Sequence, residues 1–106
     1  MIEIRYIRSK AMHSLSITGH ADYAEHGNDI VCSGVSAVTY TLAGYLINHT
    51  NATEHHIQLD SGCGTIMCYR KDNADIAFDM ALIGYQQIAH TYHNNVSVHI
   101  PAETDR

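Results

Sequence analysis

The order of periodic segments predicts an α+β fold: two layers, a mostly antiparallel five-stranded sheet carrying two helices, in the order β-β-α-β-β-α-β. Three observations carry this reading. Short stretches of period-two alternation stand at both chain ends and around residues 57–69. Two longer stretches place apolar residues at helical spacing, and each follows a pair of alternating segments. A Ser61-Gly62-Cys63-Gly64 run supplies hairpin chemistry between two of the strands.

Ile2, Ile4 and Tyr6 alternate with Glu3 and Arg5 and predict a half-buried first strand; Ser9-Lys10-Ala11 reads as a turn. His13, Leu15 and Ile17 alternate with Ser14 and Ser16 in a second strand that ends at Gly19-His20. From Ala21 to Asn28 the chain is polar and aperiodic, a loop long enough to be functional. Asn28 or Asp29 caps the first helix, where Val31, Val35, Val38, Leu42 and Leu46 follow at helical spacing. Small Gly34, Ala37 and Gly44 on it predict close packing, and Asn51 is a candidate cap at its end. Ile57 and Leu59 open a hairpin whose return strand sets Ile66 and Cys68 on one face, Met67 and Tyr69 on the other. Asp72-Asn73 caps a second helix with Phe78, Ala81, Leu82, Tyr85, Ile88 and Tyr92 in one stripe. Asn94-Asn95 breaks it, and Val96, Val98 and Ile100 form a last strand. Strand order does not follow from this pattern.

The 106 residues fit a single domain, residues 1–106, able to bury a core without disulfide or metal staples. Eleven acidic against six basic residues leave a net charge of −5. Nucleic acid is therefore excluded as a major ligand, since phosphate binding needs clustered Lys and Arg. Arg5, Arg8 and Lys10 are read as a solvated strand edge. No apolar run approaches the roughly 20 residues that span a bilayer, and the charged, alternating N-terminus is no signal peptide. Cytoplasmic placement without a membrane partner is the expectation. Three cysteines, an odd number, fit reduced thiols there.

Chemistry concentrates at Cys32. In the first turn of a helix, unpaired N–H groups and the helix dipole stabilise a thiolate. His20 closes the preceding strand at the mouth of the same loop, where a strand end and a helix start meet at one sheet edge. Such a pair suffices for nucleophilic attack on an acyl group, with the imidazole moving the proton and helix-start N–H groups holding the oxyanion. The competing reading is a small, buried packing cysteine. Cys63 and Cys68 with His55 and His56 raise a zinc hydrolase reading, but Cys-x4-Cys straddles a turn and adjacent histidines on a strand face apart. His90 and His93 suit the negative end of the second helix, whereas His13, His26, His49 and His99 show no partner pattern.

Gly19-His20-Ala21, followed at this distance by Gly27-Asn28-Asp29-Ile30-Val31-Cys32-Ser33-Gly34-Val35-Ser36, resembles the signature of the ribosomal-processing cysteine protease Prp family (YsxB-like). Chain length, element order and the Ser61-Gly62 hairpin extend the resemblance over nearly the whole sequence. The family's usual Cys-Ala-Ala or Cys-Ala-Gly is Cys32-Ser33-Gly34 here, which leaves both reacting groups in place. The resemblance implies removal of an N-terminal extension from large-subunit ribosomal protein number twenty-seven during ribosome maturation. It further implies Cys32 as nucleophile, His20 as general base, and supporting places for Gly19, Asp29 and Ser36. It implies a homodimer, no metal or organic cofactor, and a loop between His20 and Cys32 that closes over substrate. Asp29 either caps the helix and fixes the loop or orients His20 as a third catalytic member. The alternative function is a ribosome-assembly binding module that grips the same protein without cutting it, with Cys32 only core.

Overall fold

The computed structural model describes residues 1–25 and 27–101. His26 of the loop and the terminal residues with Arg106 lie outside this set. The elements follow the predicted order: β1 (Ile2–Arg8), β2 (Met12–Thr18), α1 (Ile30–His49), β3 (His55–Asp60), β4 (Cys63–Tyr69), α2 (Asp72–Thr91) and β5 (Val96–His99). The five strands form a sheet in the order β3-β4-β2-β1-β5. It is mixed. β1–β2, β2–β4 and β3–β4 pair antiparallel, whereas β5 runs parallel to β1 with Ile2 opposite Val96.

Strand alternation decides what the sheet buries. Ile2, Ile4 and Tyr6 of β1, Leu15 of β2, and Ile66 and Cys68 of β4 all enter the core. Val31, Val35, Leu42 and Leu46 of α1 and Phe78, Leu82 and Tyr85 of α2 join them in one cluster. Each large apolar side chain buried this way contributes about 1.5–3 kcal/mol. Where α1 and α2 meet, small residues allow close approach: Gly34 lies against Ile88, and Gly84 faces Val38 so closely that a Cβ would stand 3.2 Å from a Val38 methyl. Gly44, expected to pack in the same way, faces open space. The buried Thr39 hydroxyl donates to the Val35 carbonyl, so the Tyr85 hydroxyl, 2.6 Å away, donates to Thr39. Burial pushes the Tyr85 phenol up to about 12.

Three sequence expectations need correction. Asn51 does not close α1; Thr50 does, its backbone N–H and hydroxyl both donating to the Leu46 carbonyl. The cap position of α2 is Lys71, with no side-chain cap bond; Asp72 and Asp75 instead fill the first turn, where carboxylates suit the helix dipole. Finally, α1 is long and apolar enough by length and composition to cross a bilayer. Its Ser, Thr and Gly residues break the apolar run but bring no Asp, Glu, Lys or Arg. In this fold the helix lies along the sheet and sends six residues into the core.

Register places one corner of the sheet apart from the rest. The end of β2 meets the start of β1 and the start of β4, with Thr18 opposite both Glu3 and Cys63. The β3–β4 turn and the N-terminus of α1 reach the same corner.

Candidate active site

His20 stands two residues beyond β2, exposed, with its ring over the β3–β4 turn. A Cβ on Gly62 would lie 2.7 Å from its Nε2. Gly62 also has φ +74°, a region that L side chains rarely adopt, so the backbone favours glycine there and any side chain would push the His20 ring aside. Gly19 is constrained in the same double way, with φ +91° and a would-be Cβ 2.2 Å from the Met1 carbonyl oxygen. Its N–H donates to the Gly62 carbonyl at 2.9 Å, tying the histidine's backbone to the turn beneath the histidine's ring.

Cys32 lies in the first turn of α1, half-buried, as its position after the cap requires. Its Sγ accepts a hydrogen bond from the Ala21 N–H at 3.4 Å. Two hollows meet around it. One, about 350 Å³, is lined by His20, Cys32 and Ser36 together with β3–β4 residues including Asp60 and Gly62. The other, about 450 Å³, is lined by the same three side chains with Asp22, Gly27 and Asp29. Ser36, exposed and one helical turn beyond Cys32, therefore shares the groove face of α1 with the thiol.

Asp29 is the N-cap of α1. Its Oδ1 accepts from the Val31 and Cys32 N–H groups, both at 3.0 Å. Its Oδ2 accepts from the Tyr23 N–H at 2.9 Å and the Ala24 N–H at 3.3 Å. Burial alone pushes this carboxyl up, but the four backbone donors outweigh it and hold the group below the usual carboxylate range. Both oxygens are thus committed to the helix start and the loop, and no described hydrogen bond joins Asp29 to His20. The geometry is that of a cap and loop anchor. Three of the helix-start N–H groups are thereby engaged: those of Val31 and Cys32 bond the Asp29 side chain, and that of Ser33 bonds the Asp29 carbonyl at 3.1 Å.

The metal alternative fails on register. Cys68 is buried on the helix side of β4 and lies opposite His55, while exposed Cys63 belongs to the other alternation. His55 is already engaged with the Thr50 hydroxyl at 2.8 Å. Burial raises the Cys68 thiol, as suits an inert core thiol rather than a ligand. Among the described residues, no group of three metal-ligating side chains converges.

Sequence reasoning missed the roles of Gly62 and Asn95. The Ser61-Gly62 dipeptide was legible as a turn but not as the floor beneath His20. Asn95, legible only as a helix breaker, donates its side-chain amide to the Ala21 carbonyl at 2.9 Å.

Comparison with known proteins gives one answer. The family model for cysteine protease Prp matches residues 1–97. The ribosomal processing cysteine protease Prp of Staphylococcus aureus is 32% identical over 82 residues, covering 74% of this chain and 76% of that one. The protein of the same name from Bacillus subtilis is 51% identical over 37 residues, 35% of this chain and 33% of that one. A crystal structure of Prp from S. aureus with a covalently linked product peptide superposes with a TM-score of 0.83 at 28% identity, covering 95% of this chain and 100% of that one. With a family match running from β1 into β5 and the same fold in a structure that carries a peptide, the chain belongs to the Prp family of ribosomal-processing cysteine proteases.

Proposed function

We propose that this protein is an endopeptidase of the cytoplasm that removes the N-terminal extension of large-subunit ribosomal protein number twenty-seven, with Cys32 as nucleophile and His20 as general base. The observation that carries the reading is the meeting of two hollows at one point, lined on both sides by His20, Cys32 and Ser36. A peptide laid across that point places a bond over the thiol with chain on either side. The S. aureus relative is solved with peptides, as substrate complex and as covalent product.

The steps balance as acyl transfer. His20 takes the Cys32 proton, and Sγ attacks the scissile carbonyl. The tetrahedral adduct collapses as His20 protonates the leaving amine, giving a thioester. Water then hydrolyses the thioester with His20 again as base. The α1 dipole favours the thiolate, and the Ala21 N–H is the described backbone donor beside the sulfur. Asp29 holds the helix start and the loop, Gly19 and Gly62 hold His20, and Ser36 contacts the peptide one turn along the groove. Exposed Asp22 and Asp60 line it and suit a substrate rich in basic residues. No step requires a metal or organic cofactor.

A homodimer is part of this proposal. The outer faces of α1 and α2 expose Ile76 and Met80 at 61 and 68% along an apolar groove of about 420 Å³ that Tyr45 also lines. A second copy on this face would cover a helix that has no acidic or basic residue except His49.

The test is mass spectrometry of an extension peptide incubated with wild type, Cys32→Ala, His20→Ala and Cys63→Ala. Cleavage at one bond by wild type and Cys63→Ala, absent from the other two, is the expected result. Cleavage surviving Cys32→Ala overturns the assignment, and binding without cleavage by every form turns it to a binding module.

A further inference from the structure

The corner between α2 and β5 lies outside the pair of residues proposed to do the chemistry, yet it holds the residue whose N–H touches the nucleophile. Ala21 is buried, and both of its backbone polar groups, in the peptide planes on either side of its Cα, are committed: its N–H to the Cys32 Sγ at 3.4 Å, its carbonyl to the Asn95 amide at 2.9 Å. Asn95 is itself fixed by backbone, its N–H donating to the Tyr92 carbonyl and its carbonyl accepting from the Ile2 N–H, each at 2.8 Å. A second contact comes from the same corner: the Tyr92 ring meets Tyr23 of the loop edge-on, with centroids 5.3 Å apart. The segment between His20 and Cys32 is thus clamped by Asp29 from α1 and by Asn95 and Tyr92 from the far end of the chain.

Resting on the reading of Cys32 as nucleophile, we propose that Asn95 is a positioning residue for its thiolate, gripping the Ala21 carbonyl and so limiting rotation about the Ala21 Cα, with the Ala21 N–H on the other side of that Cα pointing at Sγ. A donor hydrogen-bonded to sulfur favours the charged form, and a donor free to turn away does not. Because Ala21 follows His20 directly, the same hold limits the backbone of the base. The titratable groups that share the two hollows with Cys32 are His20, Asp22, Asp29, Tyr40, Asp60 and Cys63. None of them has a described hydrogen bond to Asn95, so removing the amide leaves those groups and their bonds in place.

The experiment reads the thiol rather than turnover. The rate of Cys32 alkylation by iodoacetamide is followed from pH 5 to 10 in a Cys63→Ala background, for Asn95 and for Asn95→Asp and Asn95→Ala. Both variants lack the donor, and only the first adds a charge. The expected result is a titration midpoint moved upward in both, with the rate near pH 6 reduced about three- to ten-fold and the rate at the alkaline plateau unchanged. A midpoint that stays in place in folded Asn95→Ala, or a rate reduced equally at all pH values, overturns the proposal. Unmodified protein supplies an independent measurement by nuclear magnetic resonance. The Ala21 backbone amide and Asn95 side-chain amide protons should shift together as Cys32 ionises, and resonances that ignore that titration also overturn the idea. Failure of the protease reading has a different signature, cleavage that survives Cys32→Ala, and it leaves the alkylation profile untouched.

Discussion

Two histidines of this protein lie seven residues apart on one stretch of chain and have opposite surroundings. His13, at one end of β2, is fully buried. Its ring stacks on Phe78 at 4.2 Å, and both nitrogens are engaged. Arg8 Nε–H donates to the Tyr6 oxygen at 2.6 Å, so the Tyr6 hydroxyl proton goes to His13 Nδ1, also at 2.6 Å. His13 Nε2–H then donates to Asp75, whose carboxylate also takes Arg70. His20, beyond the other end of the same strand, is exposed over a glycine turn, and no described hydrogen bond engages its ring. The imidazole whose nitrogens are both committed locks β1, β2 and α2 together. The one left open shares its groove with the Cys32 thiol, as the proposed base must. Residue type is the same in both places, and only what the nitrogens face differs.

The largest expected effect tests the closed end. Phe78→Ala removes the ring that stacks on His13 and meets Tyr6 at a tilt, and should cost about 3–5 kcal/mol. Thermal unfolding measures that loss, and the folded fraction should keep its kcat. A fall in kcat at full folding would break the separation between the two ends.

Gly62→Ala makes the reciprocal test at the open end. Its Cβ would displace the His20 ring, so activity should fall by about 10²-fold, the effect of a misplacement of roughly 1 Å. Peptide cleavage assays at matched folded concentration check this. Retained activity would show that His20 does not need the position seen here.

Asp29→Asn has a smaller effect of a different kind. Asn can still cap α1 through its oxygen, but its amide meets the Tyr23 and Ala24 N–H groups donor to donor. The loss should be about 1–2 kcal/mol for two forfeited bonds, with hydrogen exchange rising at Tyr23 and Ala24 before Val31. A collapse of kcat with unchanged melting temperature and loop exchange would favour a catalytic role over the cap. The carboxyl is held low in the fold, so its stabilisation is complete above pH about 4 and is lost as pH falls through its folded value. The Asp29→Asn variant should lack that acid-dependent loss.

The smallest expected effect is a pH slope. Burial lowers the basicity of His13, against the pull of Asp75, so the fold favours the neutral ring. The contribution is fully present above the unfolded value near 6.5 and is lost as pH falls below it. Melting temperature should decline from pH 7.5 to 5.5, and His13→Gln, less stable throughout, should show a shallower decline. Equal slopes would remove His13 as the source.

Much of this molecule was legible in one dimension because its causes are local. Alternation over Ile2–Tyr6 and the stripe Phe78–Leu82–Tyr85 named the buried faces, and the cap of α1 was narrowed to Asn28 or Asp29, of which Asp29 bonds the N–H groups two and three residues on. Cys32 followed from that cap, since its place in the first turn is set by counting. Other roles depend on distant partners. His13 had no visible partner because Tyr6, Phe78 and Asp75 reach it from β1 and α2, up to 65 residues away. Thr50 displaced Asn51 as the end of α1 because its hydroxyl also reaches the Leu46 carbonyl.

By itself the sequence determined the element order, the core faces, the start of α1 to within a residue and the approach of His20 and Cys32 to one hollow, because periodicity, capping and motif spacing act over a few bonds of the backbone. Tertiary structure alone decided that β5 joins β1 in parallel, that Gly62 lies under His20, that Asp29 turns both oxygens to backbone N–H groups, and that Asn95 holds Ala21. Those outcomes depend on which strands become neighbours, and register brings together residues that chain position leaves as many as 94 apart, as with Ile2 and Val96.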